Sequence, residues 1–292
     1  MKLSKLPLLV QEEVLHNMEY TDLFLLSFLS KKVKKLIKSS QVNRSKKIDY
    51  IMYDCDHAQE ILVYVFYKND WNEKLLLLAK HDDTDNDCHQ LSVSGKMIDI
   101  HSHDANKEIL ENFFTSSPTF KWINIWAHGS TEPANPESKF YQAESIQILQ
   151  LRHNSPDVLR HFQGKQAVLK CCECEVLDVI SFLNRWKSGD AYLKLEYLSI
   201  QLFEGEFPQN EILNSIGAKH IDETNKPPTH CLPKVYIDYH SFCSEPNTDP
   251  FSSHAYVVRV TDNCVASVSI QEKLIYFGVW NKTEDEFLKM IE

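Results

Sequence analysis

Three cysteines within four residues are the most reactive-looking feature of the sequence, in segment 171–174 (CCEC). A structural zinc site needs four ligands, usually with a CxxC pair, and adjacent cysteines on a strand point to opposite faces. A cysteine nucleophile needs a base, for which His128 and His161 are candidates, and nothing in the sequence places either beside the thiols. We therefore interpret the cluster as buried structural thiols.

Two further clusters contain metal-ligating residue types. Residues 81–89 (HDDTDNDCH) lack the glycine that a D-x-D-x-D-G calcium loop requires, and their His and Cys spacing fits no standard zinc site. His101 and His103, beside Asp99 and Asp104, would share one face of a strand, as some metal-binding pairs do. We interpret the first cluster as a solvated loop and the second as a polar strand end. The sequence thus predicts no metal, no cofactor and no catalytic residue.

The composition of this 292-residue chain narrows the function classes. Apolar residues make up 43% of it, enough for a proper core, and the net charge of −10 argues against a general nucleic-acid binder. The usual phosphate-binding motifs, GxGxxG and GxxxxGK[ST], do not occur. No apolar run approaches the ~20 residues of a membrane helix, and no signal peptide is recognisable. We expect a soluble protein of the cytoplasm or nucleus with its eight cysteines reduced.

The N-terminal segment 6–38 predicts two or three short amphipathic helices. Pro7 suits the start of the first helix, where a missing N–H is tolerated. Thr21 or Asp22 would cap the second helix and Ser30 the third. Helices this short bury too little apolar surface to be stable without neighbours or a partner chain. The predicted apolar stripes are Val10, Val14, Leu15 and Met18, then Leu23, Leu26 and Leu29, and finally Val33, Leu36 and Ile37.

The third predicted helix carries five lysines between Lys31 and Lys38. They are open to three interpretations: a solvated helix face, an import signal or a phosphate-contacting helix. Cations are favourable near the C-terminus of a helix, which explains the run without any function. We prefer the solvated face.

A set of short motifs recurs in order through this N-terminal segment: Leu6-Pro7, Val14-Leu15, Met18, Asp22-Leu23, Leu26-Ser27, Ser30-Lys31 and Leu36-Ile37. Together they resemble the F-box, over residues 1–42. F-boxes bind the adaptor subunit of SCF ubiquitin ligases and, through it, cullin. The resemblance implies an adaptor-facing or supporting surface formed by Leu6, Pro7, Val10, Val14, Leu15, Met18, Leu23 and Leu26.

Beyond a polar linker at 39–47, the pattern becomes strand-like. Residues 48–53, 61–67 and 75–79 predict an antiparallel meander. Helices then alternate with strands, and a strand with LxxLxI-like spacing near Leu195 is similar to a leucine-rich repeat, although the asparagine ladder is irregular. The elements predicted there are helices at 106–114, 157–162, 177–186 (closed by Gly189) and 210–216, and strands at 120–126, 146–151, 167–170 and 195–203. The strand at 120–126 is expected to alternate between two faces, and 127–144 to be a long excursion.

Three strands are predicted near the C-terminus: 256–260 and 265–270, joined as a hairpin by Thr261-Asp262-Asn263, and 274–280. This ending, with Ser181-Phe182-Leu183 and Trp186 upstream, resembles the F-box-associated domain of the type expanded in nematodes, over about residues 120–282. That resemblance implies a substrate-recruiting surface and no catalytic residue. We expect an α+β protein with an all-helical F-box at 1–42 and, at 46–292, a mixed α/β domain with irregular leucine-rich-repeat-like units and a C-terminal β-hairpin.

The functional hypothesis is a non-catalytic substrate receptor of an SCF-type ligase, which binds the SCF adaptor and an unknown protein substrate, but no nucleic acid and no membrane. The alternative is a stand-alone protein-interaction module with no ligase role, whose N-terminal helices pack on its own sheet. A thiol- or zinc-dependent enzyme comes third.

Overall fold

The structure is a computed structural model, and it describes residues 6–19, 22–23, 26, 30–45, 48–57, 60–67, 70–80, 89–94, 97–102, 111, 114–115, 119–127, 135–154, 157–235 and 245–291. The chain divides into two compact units: the first is Met1–Gly95 and the second is Lys96–Glu292. Mixed helix and strand content was predicted, and it is confirmed. Within the described ranges, no helix has the length and apolar content needed to cross a bilayer.

The first unit begins with helices α1 (Leu8–Asn17), α2 (Lys31–Ser40) and α3 (Val42–Ser45). Pro7 directly precedes α1 with φ −55°, so the predicted helix start is confirmed. The predicted cap of α2 is also confirmed, because the backbone N–H of Val33 donates to Ser30 Oγ across 3.2 Å. Helices α1 and α2 pack against each other.

Four strands follow in the described part of the first unit: β1 (Ile48–His57), β2 (Glu60–Tyr67), β3 (Asp70–Lys80) and β4 (His89–Ser94). Their order in the sheet is β4-β1-β2-β3. All three pairings are antiparallel. The predicted meander is therefore confirmed, with β4 added on the other side of β1.

The second unit opens with parallel strands: β5 (Met97–Ser102), β6 (Trp122–Ala127), β7 (Ser145–Asn154), β8 (Gln166–Glu173) and β9 (Tyr197–Leu202). Each strand pairs in parallel with the next one along the chain. The strand predicted at 120–126 is confirmed as β6, and Trp122, Ile123, Asn124 and Ile125 are all buried, so both of its faces are covered along these residues. A strand with parallel neighbours on both sides is normally covered on both faces.

Three helices follow β7, β8 and β9 in turn: α4 (Val158–His161), α5 (Val176–Ser188) and α6 (Gln209–Ser215). All three were predicted, within a few residues at each end. Helix α5 ends at Gly189, whose φ of +80° is a left-handed conformation that glycine adopts without strain. The helix predicted at 106–114 lies mostly outside the described residues. The leucine-rich-repeat-like character of these units remains a prediction.

The sheet of the second unit continues on the far side of β9 with antiparallel strands: β15 (Leu274–Thr283), β14 (Cys264–Gln271), β13 (Ala255–Val258) and β10 (Lys219–His220). The predicted hairpin and the third strand are confirmed as β13, β14 and β15. A short pair, β11 (Thr229–His230) with β12 (Phe251–Ser252), forms a separate sheet, and helix α7 (Glu284–Leu288) follows β15.

Aromatic side chains form much of the core of the second unit. The ring of Phe277, on β15, lies edge-on to Trp186 at 5.0 Å between centroids and to Phe182 at 6.1 Å, both on α5. On the opposite face, the buried His230 lies against Gly278, where a side-chain Cβ would come within 2.5 Å of the imidazole ring. A glycine is therefore required at position 278 for His230 to pack.

Candidate adaptor-binding surface

Helix α1 presents large apolar side chains to solvent. Leu9 is 80% exposed and Leu8 59% exposed, and Val10 and Val14 are exposed as well. Single exposed apolar residues are ordinary on protein surfaces, but here four of them lie within residues 8–14 of one helix, and Val10 and Val14 are neighbours one turn apart. We call these four residues the α1 patch.

Buried residues hold α1 in position behind this patch. Leu15 is fully buried and Leu23 nearly so. The carbonyl oxygen of Leu15 accepts a hydrogen bond from the Gln41 side chain, which is itself buried. The last carbonyls of a helix have no partner within it, so this bond satisfies one of them. These contacts fix the orientation in which the α1 patch faces solvent.

A groove of about 820 Å³ runs between α1 and α2. Its apolar lining comes from Leu8, Val33 and Leu36, and its polar lining includes Gln11 and two lysines, Lys32 and Lys35. Lys32 and Lys35 are exposed. The groove therefore combines apolar lining residues with positively charged ones.

Residues 3–45 match the family model of the F-box domain. An F-box domain is therefore present, and F-box domains bind the adaptor subunit of SCF ubiquitin ligases. The match covers the helices that carry the α1 patch and the groove. No curated protein and no solved structure matches the chain significantly. The resemblance of the later part to an F-box-associated domain remains a prediction.

The predicted adaptor-binding residues of the F-box fall into three groups by burial. Exposed residues are Pro7, Val10 and Val14, half-buried residues are Leu6, Met18 and Leu26, and buried residues are Leu15 and Leu23. The first group is placed to touch a partner, whereas the last is placed to support the F-box from within. Their role in adaptor binding remains a prediction.

Leu8 and Leu9 were missed by the sequence analysis, although they are the most exposed members of the α1 patch. A signal existed for Leu9. Both lie in the first turn of the helix after Pro7. Leu9 points away from the side that Leu15 buries, whereas Leu8, seven residues before Leu15, lies on the same side as Leu15 and lines the groove. Attention to apolar residues outside the predicted buried stripe would have found Leu9.

The cysteine cluster lies at the end of β8 in the second unit. Cys171 is buried as expected, whereas Cys172 and Cys174 are only half-buried. No group of three or more His, Cys, Asp or Glu side chains that would hold a metal ion occurs in the described part of the chain. His161, one proposed base, has its ring 5.3 Å from that of Tyr141. The other base, His128, lies outside the described residues, as do 81–88 and His103.

Two buried groups of the second unit have perturbed pKa values for a physical reason. Burial lowers the pKa of His230, because the charged imidazolium is disfavoured away from water, and the Val279 carbonyl at 3.1 Å from its Nε2 only partly offsets this effect. Burial raises the pKa of the Cys264 thiol. A reactive cysteine needs a lowered pKa, so the raised pKa of Cys264 argues against a nucleophilic role for this thiol.

Proposed function

We propose that this protein is a substrate-receptor subunit of an SCF-type ubiquitin ligase. Its F-box would bind the SCF adaptor and, through it, cullin, and its second unit would bind a target protein. The observation that carries the proposal is the coincidence of the F-box match at 3–45 with the solvent-facing α1 patch. Binding to an adaptor would cover apolar surface that the chain itself leaves in water.

The receptor itself performs no bond chemistry in this proposal. It raises the effective concentration of target lysines near the catalytic end of the ligase. A compact second unit with its own core suits a binding role. The cytoplasm and nucleus are the compartments we propose, because ubiquitin ligases of this type work there.

The alternative hypothesis, a stand-alone interaction module, explains the solvent exposure of the α1 patch less well. Under that hypothesis the N-terminal helices would cover their apolar faces on the chain's own sheet. Leu9 instead keeps 80% of its surface exposed.

Recovery of the purified SCF adaptor with the full chain tests the proposal. We expect Leu9→Asp/Val10→Asp to reduce recovery at least about tenfold, since central apolar anchors contribute about 1–3 kcal/mol each. The matched control is Leu193→Asp/Val260→Asp, which changes two exposed apolar residues of the second unit. Equal recovery of wild type and both variants would overturn the ligase role. Leu15→Asp is a poor probe, because a carboxylate at this buried position would disrupt folding itself.

A further inference from the structure

Three segments of the second unit meet where β8 and β9 end. The backbone N–H groups of Phe203 and Glu204 donate to the carbonyls of Cys171 and Cys172, at 2.9 and 3.1 Å, so the pairing continues past β9. The turn between β14 and β15 lies alongside, because Leu202 N–H donates to the Lys273 carbonyl across 2.8 Å. We call segments 171–177, 202–207 and 272–273 together the β8–β9 edge. Carboxyl ends of parallel strands are the usual place for binding sites in α/β sheets.

Two large apolar side chains are exposed at the β8–β9 edge. Leu177, in the first turn of α5, is 73% exposed, and Phe203 is 37% exposed. Helix α5 buries a different face, formed by Val179, Phe182, Leu183 and Trp186. Packing in the core therefore accounts for neither exposed side chain, and each is available for apolar contact with a partner.

The charge around these two side chains is predominantly negative. Glu175, Glu204, Glu206 and Glu272 are all exposed on the three segments. The one cation of the described segments, Lys273, donates from Nζ to the Phe203 carbonyl at 3.1 Å.

Arg160 lies close to the start of α5, where its guanidinium pairs with Asp178 at 3.0 Å and with Asp157 at 3.5 Å and interacts electrostatically with Glu175. The negative charge available to a partner therefore comes from Glu204, Glu206 and Glu272. At Gly205, between two of the glutamates, a side-chain Cβ would meet no atom within 4 Å. An incoming chain would thus meet exposed apolar side chains and negative charge on the same three segments.

We propose that the β8–β9 edge binds a basic segment of a partner protein, in which lysine or arginine residues flank a large apolar side chain. The apolar side chain would pack on Leu177 and Phe203, and the basic residues would pair with the surrounding glutamates. This inference rests on the proposed receptor function and names the class of target that the second unit accepts. Phosphorylated or acidic segments would be repelled by the same glutamates.

Fluorescence anisotropy of the intact chain with two labelled peptides tests this inference. One peptide alternates arginine with leucine and phenylalanine, and the other replaces each arginine with glutamate. We expect the arginine peptide to bind and the glutamate peptide not to bind. Leu177→Ser/Phe203→Ser should weaken binding about tenfold, the effect of losing a central apolar anchor. Glu204→Lys/Glu272→Lys should exchange the preference between the peptides.

Two matched control variants distinguish binding at the β8–β9 edge from a general attraction of basic peptides to an acidic protein. Glu223→Lys/Glu245→Lys makes the same change in net charge at exposed positions elsewhere, and Leu193→Ser/Val260→Ser removes comparable exposed apolar groups. The inference is overturned if the arginine peptide fails to bind, or if the controls weaken its binding as much as the edge variants do. Either failure leaves the receptor function intact as long as adaptor recovery is unaffected.

Discussion

Gln41 joins the ends of two F-box helices, because its Nε2 donates to the carbonyl oxygen of Leu15 across 2.9 Å. Leu15 lies in the last turn of α1, and Gln41 directly follows α2. Both residues are buried, so no water is available to replace the bond. The orientation of the α1 patch thus depends on a buried amide that is 26 residues away in the chain.

Replacing this amide should destabilise the F-box. Gln41→Leu leaves the Leu15 carbonyl buried without its donor, which costs about 1–3 kcal/mol. Urea unfolding of the full chain, followed by a signal from the first unit, measures the loss. The control is Asn43→Leu, an exposed position two residues further on, which should change stability by less than about 0.5 kcal/mol. Equal effects of the two substitutions would show that the bond contributes nothing.

Alanine substitutions at Leu15 and Leu9 should affect different properties: the first should reduce folding stability, and the second should reduce adaptor binding. Leu15 is fully buried, so Leu15→Ala should cost about 2–5 kcal/mol of folding stability through the cavity it leaves. Leu9→Ala should change stability by less than about 0.5 kcal/mol, because the side chain is 80% exposed. The same Leu9→Ala substitution should weaken adaptor binding by about 1–3 kcal/mol, measured by calorimetry. The opposite pattern, a stability loss without a binding loss, would remove Leu9 from the interface.

The close approach of His230 to Gly278 predicts a coupled pair of substitutions. Gly278→Ala places a Cβ 2.5 Å from the imidazole ring, and the overpacking should cost about 1–3 kcal/mol of stability. The double variant His230→Ala/Gly278→Ala should lose less than the sum of the single losses, since the smaller residue makes room for the new methyl group. Unfolding free energies from urea titrations give the coupling. Strict additivity would mean that the two residues do not restrict each other.

Elements with local signals were predictable from the sequence. Ser30 begins α2 through its own hydroxyl, and Gly189 ends α5 through its positive φ, and both signals lie within a few residues of the structure they cause. The hairpin of β13 and β14 likewise follows from alternating strands and a polar turn, with Asn263 at φ +59°.

Features that depend on distant neighbours were not predictable in the same way. The burial of β6 on both faces is one such feature, because it depends on the layers that cover a parallel sheet and not on the 120–126 sequence itself. The β8–β9 edge needs the pairing of segments some 30 residues apart, which periodicity does not reveal. In the F-box, the stripe pattern located the helices but did not tell which apolar residues face solvent, and so Leu8 and Leu9 were overlooked.

The buried His230 predicts a loss of stability in mild acid. Burial lowers its pKa below the ordinary value near 6.5, so the folded protein keeps the ring neutral while the unfolded chain takes up a proton first. Stability should therefore fall as pH decreases from about 7 to 5, by at most about 1.4 kcal/mol per pH unit from this group. Urea titrations across that range measure the slope, and His230→Phe should reduce it, since the remaining histidines contribute equally to both proteins. An unchanged slope in the variant would show that protonation of His230 is not coupled to unfolding.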